Sequence, residues 1–563
     1  MPSTVVESSD SSIKQESVGQ GLSKELALDS ASSGGAPSKN SEVLGESIKA
    51  REREYITGFK LVMVLVGVTS VMFLVLLDTS IIVTAIPVIT TQFHSLEDLG
   101  WYGSSYQIAS ACLQPLAGTV YTNFRTKWTF LSFFFVFELG SLFCGLATSS
   151  KMLIVARAVA GLGSAGLMNG GLTIVSSSVP FHKSPPLIGM MMGFCQLGVV
   201  LGPLLGGAFT EYTTWRWCFY INLPIGALVA FLLAFTDIPE QAAKPPIKAA
   251  FDTITRKLDL IGFALLAPAA IQLLLALEYG QNEYPWNSAT VIGLFCGAGA
   301  TFILFLFWEN YQGEKAMIPL SMVAKRNVWS SCLVILSISA IALISSYYLP
   351  LYFQAIKNDS PMMSGVYLLP SILSQVAMAV ISGALIGKMG YYLPWAVACG
   401  VLSSIGNGLL STLAQNTSTG KWVGYQIIAG AGRGAGFQTP LIAVQNTLPP
   451  SQISVGMSIL MFAQTLSGAI FLTFADVIFS TGLKSTIPKD APNVNPQVVI
   501  AAGATGIRDV VSNQDLPGVL KAYAKSVDHG FYMSAALGVC CLIFAFGMGW
   551  EDVRKKKPAG EQV

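Results

Sequence analysis

The chain has 563 residues, 52% of them hydrophobic and only 11% charged, with a formal net charge of +2. Apolar runs of about 20 residues, each able to cross a hydrocarbon layer of about 30 Å, recur along nearly the whole length, which excludes a single soluble core. The small net charge singles out no charged partner, and no nucleic acid is expected among the partners.

Residues 1–56 are rich in Ser, Gly, Lys and Glu and lack the apolar core of a cleavable signal peptide, so a disordered cytosolic tail is expected. The first span, about 61–83, holds one acid, Asp78. An ionisable side chain in hydrocarbon costs at least about 2.5 to 3.5 kcal/mol on insertion scales, so it needs a partner, a cavity or a task. Asp78 is the candidate for taking up and releasing a proton. Spans follow at about 102–120, 129–148 and 153–176. The fourth begins near Arg157, a permanent cation that either biases a nearby acid or snorkels to the span end about one turn away.

The fifth span, about 187–209, carries Gly198, Gly202 and Gly206 at every fourth position, with Pro203 and Gly207 among them. In a helix such glycines line one side and let another helix approach closely, while Pro203 removes an amide and predicts a bend. A sixth span at about 219–236 closes the first set. Two more, at 260–277 and 289–308, precede a second set near 329–352, 364–386, 394–413, 422–444, 456–479 and 530–550, about fourteen in all. The expected organisation is an all-α polytopic membrane protein. It has an N-terminal six-helix half (57–236), a linker with two extra helices (237–327), a C-terminal half (328–550) and a basic tail (551–563). The segment 481–529 is expected as a long outer loop with a short helix near 519–525.

Basic residues fix the expected orientation: Lys60, Arg125, Lys127, Lys183, Lys315, Lys325 and Arg326 share one side with the tails, which is cytoplasmic by the positive-inside rule. The first outer loop is acidic through Glu97 and Asp98. The sequon Asn416-Thr417-Ser418 falls on an outer loop and marks a glycosylation acceptor; Asn358-Asp359-Ser360 is weakened by the proline after it. The plasma membrane is the expected location, with a vacuolar or vesicle membrane as the alternative.

Polar side chains at membrane depth that could line a cavity for amphipathic ligands are Gln107, Gln114, Gln196, Tyr352, Gln354, Gln438, Gln445 and Gln464. Arg433 shares the ambiguity of Arg157, and Glu138, Asp476 and Glu309 rank lower, being unmatched by a motif or near a span end within reach of water. No Gly-x-x-x-x-Gly-Lys-[Ser/Thr] occurs to cradle ATP, so no cofactor is expected and the energy comes from an ion gradient or a partner. The nine cysteines fall in apolar runs without C-x-x-C spacing and read as small hydrophobes, and three scattered histidines make no metal site.

Ala160-Gly161-Leu162-Gly163 is echoed by Ala429-Gly430-Ala431-Gly432, and Phe194-Cys195-Gln196 by Phe462-Ala463-Gln464. An offset of roughly 270 residues is what two parallel six-helix halves give, with a substrate cavity between them opened alternately by rocking.

Several stretches together carry a resemblance: Leu77-Asp78-Thr79-Ser80-Ile81, Arg157 through Gly166, the Gly198-to-Gly207 run, Trp215 through Gly226, Leu258-Asp259-Leu260-Ile261-Gly262, Tyr348 through Gln354, and Gly434-Ala435-Gly436-Phe437-Gln438. The chain resembles the fourteen-span drug:proton antiporter branch of the major facilitator superfamily, particularly fungal toxin and multidrug exporters. The resemblance implies a multi-pass efflux pump, not an enzyme, that exchanges cytosolic amphipathic compounds for protons and works as a monomer. It makes Asp78 the proton-coupling residue, Arg157 its assistant, and Gly198, Gly202, Pro203, Gly206 and Gly207 the antiporter motif. One departure stands out: the loop at 118–127 has Thr122 where the superfamily usually has an Asp, so its cytoplasmic charge latch is in doubt. Three other readings are a fourteen-span proton symporter for siderophore uptake, a vacuolar basic amino acid carrier and a non-transporting receptor.

Overall fold

The computed structural model describes residues 56–93, 101–180, 183–240, 258–282, 284–449 and 452–554. Nearly all of the tail 1–56, the acidic loop with Glu97 and Asp98, and most of the basic tail lie outside the described residues. Residues Tyr55–Val563 form one compact unit.

Among the described residues, fourteen principal helices follow in chain order. The first set is α1 (Gly58–Phe93), α2 (Trp101–Asn123), α3 (Thr126–Gly145), α4 (Ser150–Ser178), α5 (Ser184–Tyr212) and α6 (Trp217–Ala234, interrupted at Ile221). Next come α7 (Leu260–Asn282) and α8 (Ala289–Gln312), then α9 (Arg326–Ala355), α10 (Leu369–Met389), α11 (Leu393–Leu410), α12 (Thr419–Gly436, continued by Thr439–Thr447), α13 (Ile453–Asp490) and α14 (Leu516–Ala545). Among the described residues, twelve helices are long and apolar enough to cross a membrane. The two principal helices that fall short of the expected fourteen are α2 and α12, and composition explains why. The first is rich in Ser, Tyr and Gln, the second in Gly with Gln426 and Arg433, and many of these polar side chains are buried against other helices.

The internal echo reappears as packing. A Cβ on Gly140 of α3 would fall 2.6 Å from Ala160 Cα of α4, and one on Gly406 of α11 would fall 2.6 Å from Ala429 Cα of α12. Likewise Gly163 abuts the Phe137 backbone and Gly432 the Ser403 backbone. Small residues at matching positions thus pull the third and fourth helices of each set to the same closeness, as van der Waals packing in lipid requires. The sets meet along two seams, α2 with α13 and α5 with α10. The extra helix α7 packs beside α2, and α8 rests mainly on α7 with most of its surface uncovered. That outer position also exposes Cys296, unlike the buried Cys112, Cys144, Cys195, Cys218, Cys399 and Cys541.

The expected outer loop 481–529 is largely helical. Helix α13 continues to Asp490 and α14 begins at Leu516, with a helix Pro496–Val510 between them, so the short helix expected near 519–525 is the first part of α14. Buried Leu483, Ile487, Val519 and Val527 hold the extensions together, and Lys521 and Lys525 reach Asp490 at 3.1 and 2.8 Å. Apolar spacing continues past the membrane because this pair supplies its own core, which a span count based on run length overlooks. The start of the basic tail is likewise fixed, since Val553 N donates to Gly390 O at 2.8 Å and Arg554 to Lys388 O at 3.0 Å.

The loop lacking the usual Asp receives a carboxylate from elsewhere. Glu240, beyond α6, accepts from Thr126 N at 2.5 Å and from Thr126 Oγ1 at 2.8 Å, capping the amino end of α3 where the helix dipole favours an anion. Lys127 Nζ donates to Ala234 O at 2.6 Å beside it. Replacing Glu240 with Gln should lower stability by about 1 kcal/mol, the scale of a lost helix cap, read as a lower Tm of the purified protein; an unchanged Tm removes the cap from the account.

Candidate functional site

In the low dielectric of a membrane interior a carboxylate must find a donor, and Asp78 finds two. Its Oδ2 forms an ion pair with Arg157 Nη1 of α4, both side chains being 1% exposed. Its Oδ1 accepts from Asn222 Nδ2 of α6 at 3.3 Å. Asn222 sits where α6 resumes after the break at Ile221, and also donates to Ser141 Oγ of α3 at 3.1 Å. Three helices of the first set therefore meet at one carboxylate, and α3 braces the arrangement through Asn222.

Arg157 is held from every side. Its Nε donates to Tyr102 O of α2 at 3.0 Å, and the guanidinium carbon lies 4.5 Å from the Tyr106 ring centroid and 5.8 Å from that of Phe219. Aromatic faces complement a cation electrostatically while excluding water. Of the two readings open in the sequence, snorkelling is ruled out by geometry: the side chain turns inward to Asp78. The helix has to begin with room for this. Ser149 caps α4, accepting from Met152 N, and Gly161 lets the α4 backbone come against Tyr106 O.

The glycines of α5 form the wall next to Asp78. Cβ atoms on Gly198 and Gly202 would fall 2.7 Å from Phe73 O and 2.8 Å from Ile81 N, both on α1. One on Gly206 would meet Thr84 Oγ1 at 2.5 Å, whereas Gly207 points into open space. Ser80, two residues past Asp78, donates to Gly198 O at 3.1 Å. The helix runs unbroken through Pro203. Lower on the same helix, two further glycines face the other set: a Cβ on Gly193 would lie 3.0 Å from Val376 Cγ1 of α10, and one on Gly189 2.6 Å from Ala379 O. One helix thus presents glycine to α1 along its later turns and to α10 along its earlier ones.

Among the described residues, the second set shows no such buried charge pair at the matching positions. Gln426 of α12 is fully buried, and both its amide atoms lack a hydrogen-bond partner among the described residues. Arg433 is buried too, but its partners are neutral: Gln375 Oε1 at 3.0 Å and Ser371 Oγ at 2.5 Å.

The eight cavity candidates separate. Gln114 on α2 accepts from Thr465 Oγ1 of α13 at 3.1 Å, a bond across the seam between the sets. Gln438 donates to Ala379 O and Ser382 Oγ, beside the α5–α10 seam, and its Oε1 has no partner. Gln445 is buried with both amide atoms unpartnered, while Gln196 and Gln464 are half-buried on seam helices and Gln107 is exposed. Tyr352 and Gln354 stand apart at the far end of α9, where Tyr352 donates to Ala414 O at 2.9 Å and Gln354 to Ser364 Oγ at 2.8 Å. Asn416 is exposed on the α11–α12 turn. Asn222, Ser141, Tyr102 and Tyr106 received no role from the sequence. Asn222 had a signal, a bulky amide inside an apolar span. The described residues hold no cluster of three or more His, Cys, Asp or Glu suited to a metal.

Comparison with known proteins agrees with this arrangement. The model of the Major Facilitator Superfamily matches residues 68–472. The MFS-type transporter pigP of Monascus ruber is 60% identical over 504 residues, covering 90% of this chain and 88% of the relative. The efflux pump mlcE of Penicillium citrinum is 54% identical, covering 92% and 95%. Among solved structures, the proton:xylose symporter XylE superposes with a TM-score of 0.54 at 14% identity, over 88% of this chain and 98% of that one, a likeness of fold. The chain belongs to the major facilitator superfamily, alongside its fungal efflux-pump members; it is a multi-pass membrane transporter and not an enzyme.

The Asp78–Arg157 pair carries a stability prediction. Asp78→Asn alone leaves a buried guanidinium uncompensated and should cost about 3 to 5 kcal/mol, whereas adding Arg157→Gln should recover part of it. Thermal unfolding of the two single variants and the double variant checks this; strictly additive losses would mean the two side chains are not coupled.

Proposed function

We propose that this transporter exports an amphipathic small molecule, a toxin, secondary metabolite or drug, in exchange for protons by alternating access. The observation that carries the reading is the buried Asp78–Arg157 pair next to the α1–α5 glycine interface. A proton arriving on Asp78 discharges the carboxylate and dissolves the ion pair, freeing the Arg157 guanidinium from α1. Loss of the proton restores it. Because Ser80 and Ile81 lie against Gly198, Gly202 and Gly206, a change at Asp78 is felt where α1 meets α5. Because α5 also faces α10 through Gly189 and Gly193, the movement can pass to the seam between the halves.

The substrate class rests on relatives named as efflux pumps and on the half-buried amides of the seam helices. In this reading α2 and α12 also cross the membrane, giving fourteen spans, both termini face the cytoplasm, and a monomer in the plasma membrane completes the pathway without cofactor.

Inside-out vesicles with an acid lumen, given a panel of amphipathic dyes and toxins, test it. Wild type should accumulate at least one of them in a gradient-dependent way, and Asp78→Asn, compared at equal amounts of folded protein in the vesicles, should lose that dependence. Gradient-driven accumulation by the Asn variant at the wild-type rate would remove Asp78 from the coupling step. Absence of gradient-driven uptake in well-expressed wild type would overturn export.

A further inference from the structure

Away from the charge pair, a second set of buried acids lies at the foot of the α7–α8 hairpin. Asp259 caps α7, its Oδ1 accepting from Gly262 N at 2.8 Å and from Trp308 Nε1 of α8 at 2.8 Å, while Oδ2 accepts from Met317 N at 3.3 Å. Glu309 of α8 is fully buried, not near water as its place at a span end suggests. Its Oε2 accepts from Ile318 N at 2.8 Å, but its Oε1 has no partner. That oxygen lies on the same side as Asp259: a Cβ built on Gly262 would lie 2.7 Å from Glu309 Oε1 and 2.5 Å from Asp259 Oδ2, so both oxygens border one point. The two oxygens are therefore no more than about 5 Å apart, with no described group donating to Glu309 Oε1. Two acceptors cannot bond without a hydrogen between them.

We propose that Asp259 and Glu309 share one proton, forming a carboxyl–carboxylate site that latches the connector at residues 313–319 onto the α7–α8 hairpin. The latch follows from the donors: Met317 N and Ile318 N, both on that connector, are bound by the acid pair, and the connector leads directly into α9. No cation among the described residues neutralises the pair. Lys315 and Tyr311 are exposed, Glu278 and Tyr279 lie at the opposite end of α7, and Cys296 is at mid-height on α8. The facing helix α2 contributes Cys112 and Tyr121 but neither carboxylate nor cation, and the acids of α13, Asp476 and Asp490, lie toward its far end. The surrounding wall is apolar: Leu116, Leu266, Phe305 and Met317. Losing the shared proton places two anions side by side in that wall and loosens the connector.

The test reads stability and does not depend on transport. The folded protein holds a proton that the unfolded chain releases, so stability is full at low pH and falls as pH rises. Purified wild type should lose Tm progressively as pH rises above the ordinary carboxyl range of about 4 toward and past neutrality, and Glu309→Gln, which carries its own hydrogen, should remove on the order of half or more of that fall. Asp259→Asn should act the same way and serves if the first variant expresses poorly. Infrared spectra at neutral pH should show a protonated carboxyl band in wild type that is missing in Glu309→Gln. Parallel pH profiles for wild type and both variants would overturn the proposal. So would a wild-type Tm that follows sodium or potassium instead of pH, which would mark a metal cation between the acids.

Discussion

A carboxylate and a guanidinium buried together in a hydrocarbon layer cannot be separated cheaply, and the first six helices are arranged so that they never face that separation unaided. Desolvating either charge alone costs several kcal/mol; together, with added donors and aromatic faces, they are tolerated. Asp78 comes from α1, Arg157 from α4, the supporting amide from α6 and the backbone acceptor from α2. No single helix could supply this set. The pair ties the half together, and in the proposed cycle protonation is the event that unties it.

In the proposed cycle the glycines of α5 translate that event into movement. Lipid gives helices no hydrophobic reason to associate, so close backbone approach supplies the cohesion. Such contact is tight yet carries no interlocking side chains, which allows one helix to slide or tilt on another. With Gly198, Gly202 and Gly206 against α1 and Gly193 and Gly189 against α10, α5 is the element through which the first half can act on the second. The other seam is bridged by the α2–α13 contact at Gln114 and Thr465.

Much of this was legible in the chain because membrane physics leaves few choices. Apolar runs gave the helices, a lone intramembrane acid gave Asp78, and glycine spacing gave the face of α5. Pairing was less legible. Arg157 could as well have snorkelled, since distance along the sequence says nothing about which way a long side chain turns. Asn222 was hidden inside a motif whose other residues make turn and packing contacts. Run length overlooked one region: residues 481–529 are largely helical because α13 and α14 pair beyond the apolar run, while α2 and α12, expected as spans, fall short in apolarity because polar side chains are packed inside. Glu309 was placed near water by its position in the span, whereas the connector folds back over it. Glu240 could not be connected to Thr126 from the sequence, because nothing marks contacts between remote segments.

The central claim is that the proton and the transported molecule use the same switch, Asp78. The most direct measurement records both at once: vesicles loaded with an amphipathic dye that the wild type transports, with lumen pH followed by a trapped indicator as the dye leaves down its own gradient. The account predicts that dye efflux drives a counter-flow of protons in wild type and that Asp78→Asn shows no such proton flow. Dye movement in wild type without any pH change, or an unaltered proton flow in the variant, would contradict it.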